Sequence, residues 1–473
     1  MSRWRDTALR GPGCVARCSA AVFFLGGCVT DHGPIPWERW RGSYPEDYSL
    51  PLESKALAIE RHLVERHLSP EGVLVYHRVD RPFDPGAPGA YSNLSDEPIW
   101  SGALAAALAF KFKVTGDPRD RALLVRSLEG LRFLQEVTGV PGLLARAIAP
   151  RAQPIPGERP EEEWRDAPAP HEAYRYRGDV SRDQYFGVLL GYAATAVELE
   201  VAAGRGDEEL RRLLEEPACA IADHFWRNDL RIVDADGETT LHGWLGGYFL
   251  GVPLGPNAGL VLGFQLLAHR LSGERRYLEN YRQLIARQYH KATTLIKFEI
   301  LGRTNHNNDN MGMMALYALT HLETEPEILE TYEDSLEKLW HHLRHEGNAF
   351  FHLVRGARAA LPLFARFDLR ENLRLFPVDP RAYPVDLRGD SRVEVDCFRN
   401  RFGILKNRTA LPMHVRWRGS FVWKNCPYAL VREVPDPGDT TYSGVDFLLA
   451  YWMARVSIGD PESLPEARIE PER

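Results

Sequence analysis

Cysteine is scarce, and its spacing does not suit metal chemistry. Six occur in 473 residues, and Cys14, Cys18 and Cys28 fall in or at the end of the N-terminal leader. No two form a C-x-x-C, which excludes a zinc ribbon. Of the other three, Cys397 and Cys426 flank one Arg- and Trp-rich region; they either pair in an oxidising compartment or stay as isolated buried thiols, as does Cys219. Runs of basic residues are also absent. Lys and Arg are spread along a chain of net charge -7, which argues against a nucleic-acid partner. Gly-x-Ser-x-Gly, Walker-type and dinucleotide fingerprints are missing, and with them nucleophilic-serine and nucleotide chemistry. The stretch "DADGET" at 234–239 has its Gly in the fourth position rather than the sixth and no distal Glu, so it reads as a plain turn and not a calcium loop. One His and one Asp, at 306 and 309, are too thin a set for a metal, and nothing calls for a cofactor.

What is present is an ordinary globular composition, 44% hydrophobic and 26% charged, which excludes large-scale disorder and supplies a large core. At the N-terminus, Arg3, Arg5, Arg10 and Arg17 precede a short apolar stretch, 18–27. It is too short to span a bilayer and fits a signal-peptide core. The stretch ends in Leu25-Gly26-Gly27-Cys28, which resembles the bacterial lipobox. That resemblance implies removal of residues 1–27, lipid attachment at Cys28 and export to a membrane. With Val29 rather than Asp after the cysteine, it favours the outer membrane. Residues 28–52 read as a linker, and no later segment is long and apolar enough to span.

Helical periodicity dominates from residue 53 to 457, in two kinds of segment. One kind is amphipathic: 53–68, 119–137, 207–226, 274–290 and 326–345. The other is apolar nearly all round and must be enclosed by protein: 98–116, 184–200, 258–273, 310–323 and 444–456. The kinds alternate, and short turns such as "TGDPRD" and "LSGERR" follow the buried helices. The expectation is an all-α (α/α)6 toroid with inner and outer helices. Five hairpins are clear, and a sixth is obscured between 347 and 441. Residues 358–437 read as an irregular, partly β insertion, and 458–473 as a tail.

Parallel inner helices place all their N-termini at one mouth, and the loops entering them are dense in polar and aromatic residues: "YSNLSDEPIW", "YRYRGDVSRDQY", "LHGWLGGYFLGVPLGPN" and "RTNHNNDN". Planar aromatics mixed with carboxylates and amides suit a sugar, whose faces stack and whose hydroxyls need paired donors and acceptors. Cleaving a glycosidic bond takes two carboxyl groups, one acid and one base or nucleophile. Asp183 is the first candidate, with Asp309 or Asp96 as its partner. Glu97, Trp100, Arg182, Gln184, Tyr185, His242, Trp244, His306, Asn307 and Asn308 are candidates for holding the sugar, and Arg182 would favour an acidic one. Helix capping alone accounts for one acid at each helix start, but not for the adjacent Arg-Asp-Gln-Tyr set.

The stretches "SRDQYFGVLLGY", "NHNNDNMGMMALYAL" and "YSGVDFLLAYWMARV" resemble the six-hairpin glycosidase-like superfamily. The resemblance covers most of the mature chain at the level of architecture. It implies a carbohydrate substrate or ligand but not a reaction, because that superfamily holds hydrolases, lyases and epimerases. The reading is an exported, lipid-anchored glycoside hydrolase. A uronate lyase or epimerase, with Tyr185 or His306 moving the C5 proton, is the first alternative. A non-catalytic glycan-binding or assembly lipoprotein is the second.

Overall fold

The computed structural model describes residues 33–464, apart from 83, 85, 93–94, 153–163, 247, 250–251, 254, 296–304, 382, 396–404, 420 and 434–437. The leader, Cys28 and Cys397 therefore lie outside the described residues. In chain order the helices are α1 (Leu52–Arg66), α2 (Glu97–Thr115), α3 (Pro118–Glu136), α4 (Arg182–Glu198), α5 (Glu208–Arg227), α6 (Gly255–Ser272), α7 (Arg275–Ala286), the single turn α8 (Tyr289–Ala292), α9 (His306–Leu322), α10 (Pro326–Leu343), α11 (Ala349–Gly356), α12 (Leu363–Arg374) and α13 (Val445–Ser457). None of them is long and apolar enough to cross a membrane.

Their sequences decide which helices lie inside. In α2 every residue from Glu97 to Lys111 is buried, and in α4 every residue from Gln184 to Ala196. By contrast, α5 buries one face only, through Leu210, Leu213, Leu214, Ile221 and Phe225. Each such side chain contributes about 1.5–3 kcal/mol when fully buried. The inner set is α2, α4, α6, α9, α11 and α13; the outer set is α3, α5, α7, α10, α12 and α1. α13 packs on α2 and α1 packs on α13, so the two ends of the chain close the ring. α4 touches α9 as well as α6, and the centre is packed rather than hollow. This is the (α/α)6 toroid that the periodicity predicts.

The two ends of the ring differ in what joins the helices. Inner-to-outer turns are short and capped: Gly116 takes a left-handed φ of 61° after α2, and the Asp117 and Asp207 side chains accept from the backbone N–H groups of Arg119 and Glu209, each at 2.8 Å. Outer-to-inner connections are mostly long and carry small antiparallel sheets, including Tyr76–Val79 with Gly89–Ser92, and Arg231–Val233 with Thr239–Trp244. "DADGET" forms the turn of that last hairpin, with the Gly237 N–H on the Asp234 carbonyl at 2.9 Å.

The sixth hairpin is α11 and α12, and it corrects one boundary. Residues 363–374 belong to a helix rather than to an irregular insertion, which begins only after Arg374. The helix was obscured because α11 is eight residues long, Pro362 interrupts the pair, and α12 buries Asp368, Arg370, Glu371 and Asn372, inverting the usual pattern. The following segment is irregular, with Val385–Asp386 pairing Val431–Arg432.

Candidate functional site at the toroid mouth

The mouth is organised by the close approach of α2 and α4. Gly102 and Gly187 face each other's helices. A Cβ on Gly102 would stand 2.1 Å from the Gly187 carbonyl oxygen, and one on Gly187 would stand 2.1 Å from the Ile99 carbonyl oxygen. Only glycine allows this spacing. It brings the starts of the two helices onto one rim, where the Gln184 amide Nε2 donates to Asp96 Oδ1 at 2.9 Å and its Oε1 accepts from the Ile99 N–H at 3.4 Å. Arg146 Nη2 stands 3.5 Å from the same Asp96 oxygen, and the guanidinium is oriented by the carbonyls of Ser95 (2.8 Å) and Asp179 (3.3 Å). On α4, Asp183 accepts from the Ser181 hydroxyl. Arg182 beside it is half-buried and makes no side-chain hydrogen bond or ion pair among the described residues. Burial draws its guanidinium below the ordinary value, with Asp183 opposing.

A residue that sequence reading missed completes this rim. Lys424 comes from the C-terminal insertion, its ammonium 4.5 Å from the centre of the Trp100 ring. Burial lowers its pKa, and the carboxylates that oppose the shift are Asp96 and Asp183. Phe421 stacks on Trp100 with centroids 4.8 Å apart and planes 18° from parallel. The Phe421–Lys424 turn is anchored from below. Val422 N–H donates to Asp446 Oδ2 (2.8 Å), the Trp423 indole N–H to the Asp446 carbonyl (2.9 Å), and the Asn348 side chain to the Trp423 carbonyl (2.9 Å). The turn also packs on α9, and so covers one side of the mouth.

Asp446 therefore links ring and turn, and it carries a pH signature. Burial raises its carboxyl to about 6, against the pull of the Val422 and Phe447 N–H groups. The unfolded carboxyl titrates at about 3.9, so between the two values the folded state holds more protons, and stability falls as pH rises from about 4 to about 6. This group contributes a slope summing to about 3 kcal/mol. Urea midpoints of native protein and Asp446→Asn across that window measure it: the variant loses the extra fall, and identical slopes would contradict the assignment.

The hairpin 231–244 joins the rim beside the start of α4. Leu241 and Trp244 are 75% and 60% exposed, and His242 is exposed between them. The Leu241 N–H donates to Asp179 Oδ1 at 2.8 Å, and the Arg231 guanidinium lies 5.4 Å from the centre of the Trp244 ring, so the exposed apolar surface is held in place.

Several predicted ligand contacts lie elsewhere. Glu97 is 1% exposed, with one oxygen accepting from the Ile148 N–H at 3.0 Å; burial first, then Glu71 and Asp96, hold its carboxyl well above the ordinary range. Tyr185 is sealed among Phe225 and Phe264, its hydroxyl donating to the Gly142 carbonyl and accepting from the Leu144 N–H, each at 3.1 Å. Trp100 is a covered platform for Phe421 and Lys424 rather than an open stacking face. Asp309 is buried with His306 Nδ1 3.9 Å away, off the accessible rim where Asp183 lies. Asn307 and Asn308 are half-buried in the first turn of α9, their N–H groups capped by the Asn305 side chain. The apolar stretch at 310–323 hid this start, because α9 begins four residues earlier and takes all four polar groups into its first turn. Trp423 and Tyr428 are packing residues.

No protein-family model matches the chain, and no curated protein matches its sequence. Solved structures resemble its overall course. A sugar epimerase from a ruminal bacterium is 9% identical with a TM-score of 0.43, over 86% of this chain and 100% of that one. A D-mannose isomerase is 13% identical with a TM-score of 0.40, over 87% and 98%. An unsaturated glucuronyl hydrolase from a Bacillus species is 12% identical with a TM-score of 0.39, over 87% and 97%.

Proposed function

We propose that the chain is a carbohydrate-active enzyme that cleaves a glycosidic bond at the α2–α4 rim, and that it is exported and tethered through a lipid on Cys28, with the outer membrane as its destination. The observation that carries the reading is the juxtaposition of Asp96 and Asp183 at the starts of two helices in glycine-mediated contact. Two carboxyls on one accessible rim are what acid/base cleavage needs. Asp96 is held by Gln184 and Arg146 and Asp183 by the Ser181 hydroxyl, so both carboxyls are fixed in place, and the acid and base roles are divided between them. Leu241, His242 and Trp244 offer an exposed face for the sugar rings.

Arg182 and Lys424 place two cations on this rim, and the Arg182 guanidinium makes no side-chain hydrogen bond among the described residues, which supports an acidic sugar. Arg182→Gln in an Asp183→Asn background should weaken binding of a uronate-containing oligosaccharide about tenfold by calorimetry and leave its neutral counterpart unchanged. An equal loss for both ligands would remove the acidic preference.

A non-catalytic glycan-binding lipoprotein is the second reading, favoured by the Phe421–Lys424 turn that covers part of the mouth and sets an ammonium near both carboxylates. The lyase or epimerase reading loses its base, because Tyr185 and His306 are both buried.

A further inference from the structure

The first turn of α9 leaves a polar cluster that rim chemistry does not use. His306 is buried, and neither ring nitrogen meets hydrogen-bond geometry with a partner, although Nδ1 lies 3.6 Å from Glu346 Oε1 and 3.9 Å from Asp309 Oδ2. Its other close neighbour is the thiol of Cys426, a free cysteine at a partly exposed position. Each element packed around this pair brings a charge or a dipole. α9 supplies His306 and Asp309, the α10–α11 connection supplies Glu346, and the insertion supplies Lys406, Arg416 and the Tyr428 N–H. Arg416 is fixed on the backbone carbonyls of Glu346 (2.6 Å) and Leu411 (2.5 Å).

His306 faces the thiol, and a cation there stabilises a thiolate. Burial opposes that thiolate, but His306 outweighs it and draws the thiol down to about 7. Burial likewise opposes the imidazolium, and Cys426 and Glu346 together raise the ring to about 10. Cys219 is the contrast, since burial pushes its thiol up.

We propose that Cys426, set against His306 with Glu346 behind the ring, is a site of covalent modification by peroxide. The sulfur attacks one peroxide oxygen, an S–O bond forms as the O–O bond breaks, and the departing hydroxide takes the His306 proton to leave as water. The sulfur is oxidised by two electrons to a sulfenic acid, and the peroxide is reduced. Thiolate attacks and thiol does not, so reactivity should rise with pH through the Cys426 titration, below the usual thiol value of about 8.5.

The test is iodoacetamide alkylation of the full chain from about pH 5 to 10, each cysteine being followed by peptide mapping, and then hydrogen peroxide with dimedone trapping. Cys426 should label with a midpoint near neutrality, at least about tenfold faster than Cys219 at pH 7, and should be the cysteine that traps dimedone. His306→Gln should move the midpoint up into the ordinary thiol range, and Glu346→Gln should move it less. The comparison of Cys426 with Cys219 in native protein holds whether or not either variant folds. Labelling of Cys426 no faster than Cys219, a Cys426 bridged to Cys397, or an unchanged midpoint in folded His306→Gln would overturn the proposal.

Discussion

Asp183→Asn lowers turnover at least about a thousandfold, while the melting temperature stays nearly unchanged. The substitution keeps the shape, and the one side-chain bond to be replaced is with the Ser181 hydroxyl, which can donate to the amide oxygen as well. The half-buried position limits any stability effect to about 0.5 kcal/mol. Asp96→Asn should behave similarly in rate, because it changes the charge facing Arg146 while an amide oxygen still accepts from Gln184. Loss of activity with the fold intact in both variants identifies the pair. Full activity in either removes that residue from the chemistry.

The second large effect is on stability. Gly187→Val places a Cβ 2.1 Å from the Ile99 carbonyl oxygen and 2.4 Å from its Cα, and both are backbone atoms that cannot rotate away. α2 and α4 must separate, at a cost of about 3 kcal/mol, which urea unfolding would read as a lower midpoint. Gly102→Val acts on the same interface from the other side, its Cβ 2.1 Å from the Gly187 carbonyl oxygen. Separation also pulls Asp96 away from Gln184, so activity should fall with stability. A Gly187→Val protein as stable as the native chain would show that the two helices do not approach this closely.

The toroid was legible in the sequence because an inner helix has no wet face, and few structures enclose a helix on all sides. The α11–α12 hairpin was not, since a helix of eight residues shows little more than two turns of pattern and α12 turns charged groups inward. Asp96, Asp183, Arg182 and Gln184 stand out in the sequence by their place at the starts of apolar helices, but Gln184 is fully buried and holds Asp96 and the Ile99 N–H rather than facing a sugar. Lys424 and Arg146 do not stand out, because each reaches the rim through contacts far along the chain: Lys424 over Trp100, and Arg146 onto Ser95. Tyr185 misled for the opposite reason. It sits one residue past the polar set, and a helix turn of about 100° per residue directs it into the core. His306 and Asp309 share a first turn with a cap, Asn305, that the apolar pattern did not reveal.

The most direct test of the central claim is a turnover screen of the protein against polysaccharides and oligosaccharides, neutral and uronate-containing, read by reducing-end release and by ultraviolet absorbance of unsaturated products. The expected result is new reducing ends from an acidic glycan without unsaturated product, abolished by Asp183→Asn. Absorbance from an unsaturated product would instead mean a lyase, and silence across the panel with glycan binding retained would mean a binding protein; either would contradict the assignment of Asp96 and Asp183 to hydrolysis.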